Sequence, residues 1–137
     1  LLEKIDHIGI AVKDADAMLR LYQKALGMEV ATREVVEEQG VEAVCLVAGE
    51  SEIELLQPIN DDGPVAKFIK KRGEGIHHLA FGVENLETAI ARVVAEGFAL
   101  VDTTPRLGVG GSRMVFLQPK TTGGVLLELY ERKQGSH

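Results

Sequence analysis

The chain is written twice, and that duplication constrains its fold more than any other feature. Asp6-His7-Ile8-Gly9-Ile10-Ala11-Val12 alternates as a strand, with Ile8, Ile10 and Val12 on one face and His7, Gly9 and Ala11 on the other. His78-Leu79-Ala80-Phe81-Gly82-Val83 repeats the pattern, setting Leu79, Phe81 and Val83 against His78, Ala80 and Gly82. A helix signal follows each strand. Asp14 is a candidate N-cap for the first helix, Met18, Leu21, Tyr22 and Ala25 recur at helical spacing, and Gly27 is the stop. Asn85 caps the second, Leu86, Ala89, Ile90, Val93 and Val94 form its buried stripe, and Gly97 ends it.

Three strands are expected after each helix, over residues 29–35, 42–48 and 52–56 in the first half and 99–103, 113–117 and 124–130 in the second. This order predicts an α+β fold of two tandem βαβββ modules, forming a curved, partly barrel-like mixed sheet with helices outside. The modules cover residues 1–63 and 76–132. Residues 64–75 join them through a short helix with Pro64 at its start and Gly73-Glu74-Gly75 as the break. The 133–137 tail, with Gly135-Ser136-His137, reads as a cloning scar or the stub of a tag.

Composition narrows the function. A net charge of -6 argues against non-specific nucleic-acid binding, and 4% aromatic residues with no Trp offer no base-stacking platform. No apolar run approaches the roughly 20 residues of a membrane-spanning helix. Leu1-Leu2-Glu3-Lys4 does not have the pattern of a signal peptide. The single cysteine, Cys45, has no intramolecular disulfide partner and is expected to be a small core residue, so a cytoplasmic, reducing location is expected.

The chemistry lies in what the two copies share. His7 and His78 occupy equivalent places, each on the face opposite the helix-packing residues. Glu54 and Glu128 are likewise equivalent, each on the last strand of its half among Ile and Leu residues. A carboxylate among buried apolar neighbours costs much desolvation unless it is paired or bound to a metal. Taken singly, such a His or Glu is usually structural; the correlation between the copies is what points to four convergent ligands. A set of two imidazoles and two carboxylates suits one divalent ion per chain, such as Co, Ni, Mn or Zn, with Fe(II) a further candidate. His77 falls on the helix-packing face and is expected to be structural or to support a metal ligand through a hydrogen bond.

These motifs, with Glu52-Ile53-Glu54-Leu55-Leu56-Gln57-Pro58, Gly73-Glu74-Gly75-Ile76-His77-His78 and Gly123-Gly124-Val125-Leu126-Leu127-Glu128-Leu129, resemble the vicinal oxygen chelate superfamily. Within it the chain is similar to the methylmalonyl-CoA epimerase family. Two further stretches carry that likeness, Pro105-Arg106-Leu107-Gly108-Val109-Gly110-Gly111-Ser112-Arg113 and Phe116-Leu117-Gln118-Pro119-Lys120. The resemblance implies metal-dependent epimerisation of an acyl-CoA at C2, a homodimer, and His7, Glu54, His78 and Glu128 as the ligands. It makes Glu128 a candidate acid–base group. The family's second glutamate falls in register on Ala43, so adjacent Glu42 serves as the base only if a bulge turns it into the cavity. Arg113 and Ser112 are candidates to grip the substrate carboxylate, with Lys120 a similar candidate. Lys67, Lys70 and Lys71 read as a solvated helix face, with coenzyme A phosphates as the alternative. The rival functions are a glyoxalase I-type lyase or isomerase, a dioxygenase, and a non-catalytic ligand-binding member of the same superfamily.

Overall fold

The computed structural model describes residues 1–132; the expected 133–137 tail lies outside the described residues. The chain forms two compact units, one of His7–His77 and one of Leu1–Asp6 together with the chain from His78 onward. Strand β1 (Leu2–Ala11) passes between units after Asp6, and β5 (Gly75–Val83) passes between them after His77. Each strand therefore enters a unit at one of the two candidate histidines.

In the His7–His77 unit, the later part of β1 is followed by α1 (Ala15–Leu19), which continues as a π-helical segment, Arg20–Ala25. Then come β2 (Val30–Val36), β3 (Val41–Ala48), β4 (Ser51–Pro58) and α2 (Pro64–Arg72). The strand order is β2-β3-β4-β1, with β1 parallel to β4 and the other pairs antiparallel. The Asp14 side chain accepts from the Ala17 N–H at 3.1 Å and caps α1, worth about 1 kcal/mol. Val12, Ala15, Val44, Leu46 and Leu55 form the core on the helix side, with Ile10, Met18, Leu19 and Tyr22 packed against it. Burying each Val or Leu of this group contributes roughly 1.5–3 kcal/mol. That packing fixes the phase of the strands, leaving His7, Gly9 and Ala11 on the opposite face of β1.

The other unit repeats the plan. β5 leads into α3 (Leu86–Ala95), capped by Asn85, whose side chain accepts from the Thr88 N–H at 2.9 Å. β6 (Arg106–Leu107), β7 (Arg113–Leu117) and β8 (Leu127–Glu131) follow, in the order β5-β8-β7-β6. β5 is parallel to β8, and the other pairs are antiparallel. Val83, Leu86, Ala89, Val115 and Leu129 make the helix-side core. Buried Asp6 closes the unit by pairing with Arg132, at 2.9 Å to Nη2.

Mixed sheets with helices bear out the α+β expectation. One element differs: the strand expected at 99–103 is reduced to a single bridge between Leu100 and Leu117. Pairing resumes at Arg106–Leu107, a two-residue edge strand. The final strand also begins later than expected, at Leu127, because Gly123 and Gly124 take positive φ and keep the chain in a turn.

Candidate active site

Each unit builds a buried imidazole–carboxylate pair in the same way. On β4, Ile53 and Leu55 pack toward α1, so Glu54 projects to the other side. In register, Glu54 lies between Gly9 of β1 and Cys45 of β3. With no side chain at Gly9, the Glu54 carboxylate reaches His7, and Oε2 stands 3.5 Å from Nε2. On β8, Leu129 joins the helix-side core while Glu128 faces away. Glu128 lies in register between Ala80 and Phe116, and its Oε1 stands 2.9 Å from His78 Nε2. Phe116 also meets the His78 ring edge-on, with centroids 5.5 Å apart. His7, Glu54, His78 and Glu128 are all at most 3% exposed.

These donor sets fit a divalent ion. Two ligands at right angles on an ion at about 2.1 Å lie roughly 3 Å apart, close to both observed N–O separations. Nitrogen and oxygen donors in dry surroundings are what borderline divalent metals take.

Cys45 has more than a packing role. Its thiol donates to Glu54 Oε2 at 3.9 Å, and burial, then the nearby Glu54 charge, pushes its pKa well up. The antiparallel register Cys45↔Glu54 is the signal that could have revealed it. Tyr130, two residues beyond Glu128 on the same face, was also missed. It packs with Ala80, Met114 and Phe116, and its hydroxyl donates to the Val109 carbonyl at 2.5 Å. It thereby pins the Gly108–Ser112 loop, where Gly110 and Gly111 take φ of 73° and 74°.

Three candidates stand apart from these pairs. The β3–β4 register runs unbroken from Val41 to Ala48, so no bulge turns Glu42. Glu42 stays on the Val44 side, where Arg33 Nε donates to it at 3.1 Å while Arg33 Nη1 reaches Asp16 at 2.7 Å. The two carboxylates raise the Arg33 pKa, and Arg33 in turn lowers that of Asp16. Ala43, on the Glu54 side, carries no proton donor; the other carboxylate on that face of β4 is Glu52. Arg113 shares the helix-side face of β7 with Val115 and is held by Glu87 and by Glu131. The Arg113 guanidinium lowers the Glu87 pKa, and Glu87 raises that of Arg113. Lys120 lies exposed in the short turn Pro119–Thr121. Ser112, by contrast, is 1% exposed and continues the Met114–Phe116 side of β7. His77 meets the ring of Phe68 in α2 edge-on, with centroids 5.0 Å apart.

The Glyoxalase/Bleomycin resistance protein/Dioxygenase superfamily model matches residues 6–116. The uncharacterized protein YqjC of Bacillus subtilis is 37% identical over 99% of this chain and 97% of its own. Mitochondrial methylmalonyl-CoA epimerase of Dictyostelium discoideum is 35% identical over 94% of this chain and 78% of its own. A Streptomyces coelicolor methylmalonyl-CoA epimerase variant, solved with 2-nitronate-propionyl-CoA, superposes with a TM-score of 0.91. It shares 42% identity and covers 96% of this chain and 98% of its own. The chain belongs to the glyoxalase/bleomycin resistance protein/dioxygenase superfamily and, within it, to the methylmalonyl-CoA epimerases.

Proposed function

We propose that the protein epimerises methylmalonyl-CoA at C2, with His7, Glu54, His78 and Glu128 holding one divalent ion. The observation that carries the ligand assignment is the repeated pair: in both units a buried His Nε2 faces a buried Glu oxygen. The C2 carbon lies between a thioester carbonyl and a carboxylate, so its proton is weakly acidic. When bound, a divalent ion supplies Lewis acidity toward the thioester oxygen, where charge develops.

The chain's own residues then move protons and exclude water. One oxygen of Glu128 faces His78 and the other takes or returns the C2 proton. Inversion requires a second carrier on the opposite face of C2. Glu42 is held away by Arg33, so we assign that role to Glu52, which shares the Glu54 face of β4. The Ser112 hydroxyl grips the substrate carboxylate from the loop that Tyr130 pins. Cys45 keeps the Glu54 carboxylate oriented by donating its thiol hydrogen. Family resemblance supports a homodimer, and an unpaired buried thiol fits a reducing compartment. Among the described residues no helix is long and apolar enough to cross a membrane.

Proton NMR of methylmalonyl-CoA in D2O tests the reading. Metal-loaded protein should erase the C2 proton signal, and chelation should prevent the loss. A persistent signal with fully loaded protein would refute the proposed activity and direct the assay to the glutathione adduct of a glyoxalase.

A further inference from the structure

The edge strand β2 of the His7–His77 unit carries a bulge that the proton chemistry does not use. Val30 pairs with Leu46 and Thr32 with Cys45, so β2 holds one extra residue, Ala31, against β3 over that stretch. Strict alternation would put Val30 and Thr32 on one face. The bulge separates them: Val30 packs into the helix-side core with Leu46, and Thr32 stands opposite Cys45 on the Glu54 side. We propose that Thr32 is a positioning residue for the metal site, acting on Glu54 through the Cys45 thiol. This inference rests on the reading of Glu54 as a metal ligand.

Register lines the three groups up. Thr32 is the cross-strand partner of Cys45, and Cys45 that of Glu54, with Cβ atoms about 5 Å apart at each step. Hydrogen bonds follow the same row. The Thr32 hydroxyl bonds to the Cys45 sulfur, and because that bond favours the thiolate, the hydroxyl is its donor. The sulfur in turn donates to Glu54 Oε2 at 3.9 Å, the oxygen that faces His7 Nε2 at 3.5 Å. The row therefore runs from the exposed edge of the sheet to a buried ligand atom.

A thiol has one hydrogen and is a weak donor, so its direction and polarisation decide what it contributes. Burial and the Glu54 charge push the Cys45 pKa up, which keeps that hydrogen on sulfur at neutral pH. With Thr32 donating to the sulfur, the S–H is directed at Glu54, and bonds in a chain of this kind strengthen one another. On the other side of Glu54 the register partner is Gly9, which has no side chain to steady the carboxylate. The thiol thus sets how Oε2 is presented to His7, and Thr32 sets the thiol.

The test is the Kd for Co(II), measured by competition with a chromogenic chelator. It compares wild type, Thr32→Val, Thr32→Ser, Cys45→Ala and the Thr32→Val/Cys45→Ala double variant. Groups that orient a metal ligand are typically worth 10- to 100-fold in affinity, so Cys45→Ala should weaken binding about tenfold, and Thr32→Val, one bond further out, about fivefold. Thr32→Ser keeps the hydroxyl and should stay within about twofold of wild type; a role for the β-branched shape alone would instead make Ser worse than Val. Without the thiol, adding Thr32→Val should change Kd by less than about twofold, because the coupled partner is gone. Cys45→Val supplies the thiol-free background if the alanine variant does not fold. Equal Kd for wild type and Thr32→Val, or the same loss with and without the thiol, would overturn the proposal. Affinity is read without turnover: a wild type that binds Co(II) but leaves methylmalonyl-CoA unchanged refutes the epimerase reading alone, and one that binds no Co(II) overturns both.

Discussion

Replacing Tyr130 with Phe removes one oxygen and leaves the ring packed against Ala80, Met114 and Phe116. The loss falls on the Val109 carbonyl, since Val109 is only 8% exposed and the Tyr130 hydroxyl is its donor. Leaving such an acceptor unsatisfied costs about 1–2 kcal/mol. Unfolding entropy of about 2.1 cal/mol/K per residue amounts to roughly 0.29 kcal/mol/K for a chain of this length, so Tm should fall by about 3–7 °C. Much of the cost should appear locally, because the bond ties a five-residue loop to β8. The Gly108 and Gly111 amides are bonded within that loop, to Ser112 O at 2.8 Å and Gly108 O at 3.1 Å. Their hydrogen exchange should quicken about 5- to 30-fold, the factor equivalent to 1–2 kcal/mol. KM should change less than twofold, because a loop that remains mostly closed loses little of its binding-competent population. Exchange at Gly108 and Gly111 equal to wild type, with Tm within about 1 °C, would show that Tyr130 does not pin the loop.

Two further outcomes follow from the strand faces. His7→Ala and Glu128→Ala should each lower metal content per chain by more than half in dialysed protein measured by elemental analysis; wild-type stoichiometry in both would remove those ligands from the assignment. Glu42→Gln should keep kcat within twofold and lower stability by no more than about 1 kcal/mol, since it breaks a partly exposed ion pair with Arg33; a kcat loss beyond tenfold would return the acid–base role to Glu42.

Much of this was legible because caps, stripes and strand alternation are local. Asp14 and Asn85 cap their helices by bonds three residues long, and the expected stripe of α3 is the one whose Leu86 and Ala89 are buried. The histidines and glutamates could be placed on the polar face because their apolar neighbours announce the other one. Less legible was anything set by distant partners. Arg113 follows a Gly-Gly loop and reads as a substrate clamp, yet its partners Glu87 and Glu131 are 26 and 18 residues away. Residues 99–103 contain Leu100 and Val101 and read as a strand, but an edge that pairs at only one bridge cannot be told from a longer one by composition.

The decisive variable throughout is strand phase, and two adjacent-residue comparisons show how much function it carries. Glu42 and Ala43 differ by one position. Without a bulge in β3, the acid is delivered to Arg33 and the methyl group to the Glu54 side. Ser112 and Arg113 differ likewise, the hydroxyl falling on the Glu128 side and the guanidinium against α3. Phase also explains the small residues. Gly9 pairs in register with Glu54 and Ala80 with Glu128, so each carboxylate has room to lean back to the histidine two residues earlier on the neighbouring strand. A long side chain at either place, with its Cβ about 5 Å from that of the glutamate, would occupy the space the carboxylate needs. The duplication thus repeats a geometric unit of His, a small residue and a register-paired Glu, and a chemical role for any member of it depends on that register remaining unbroken.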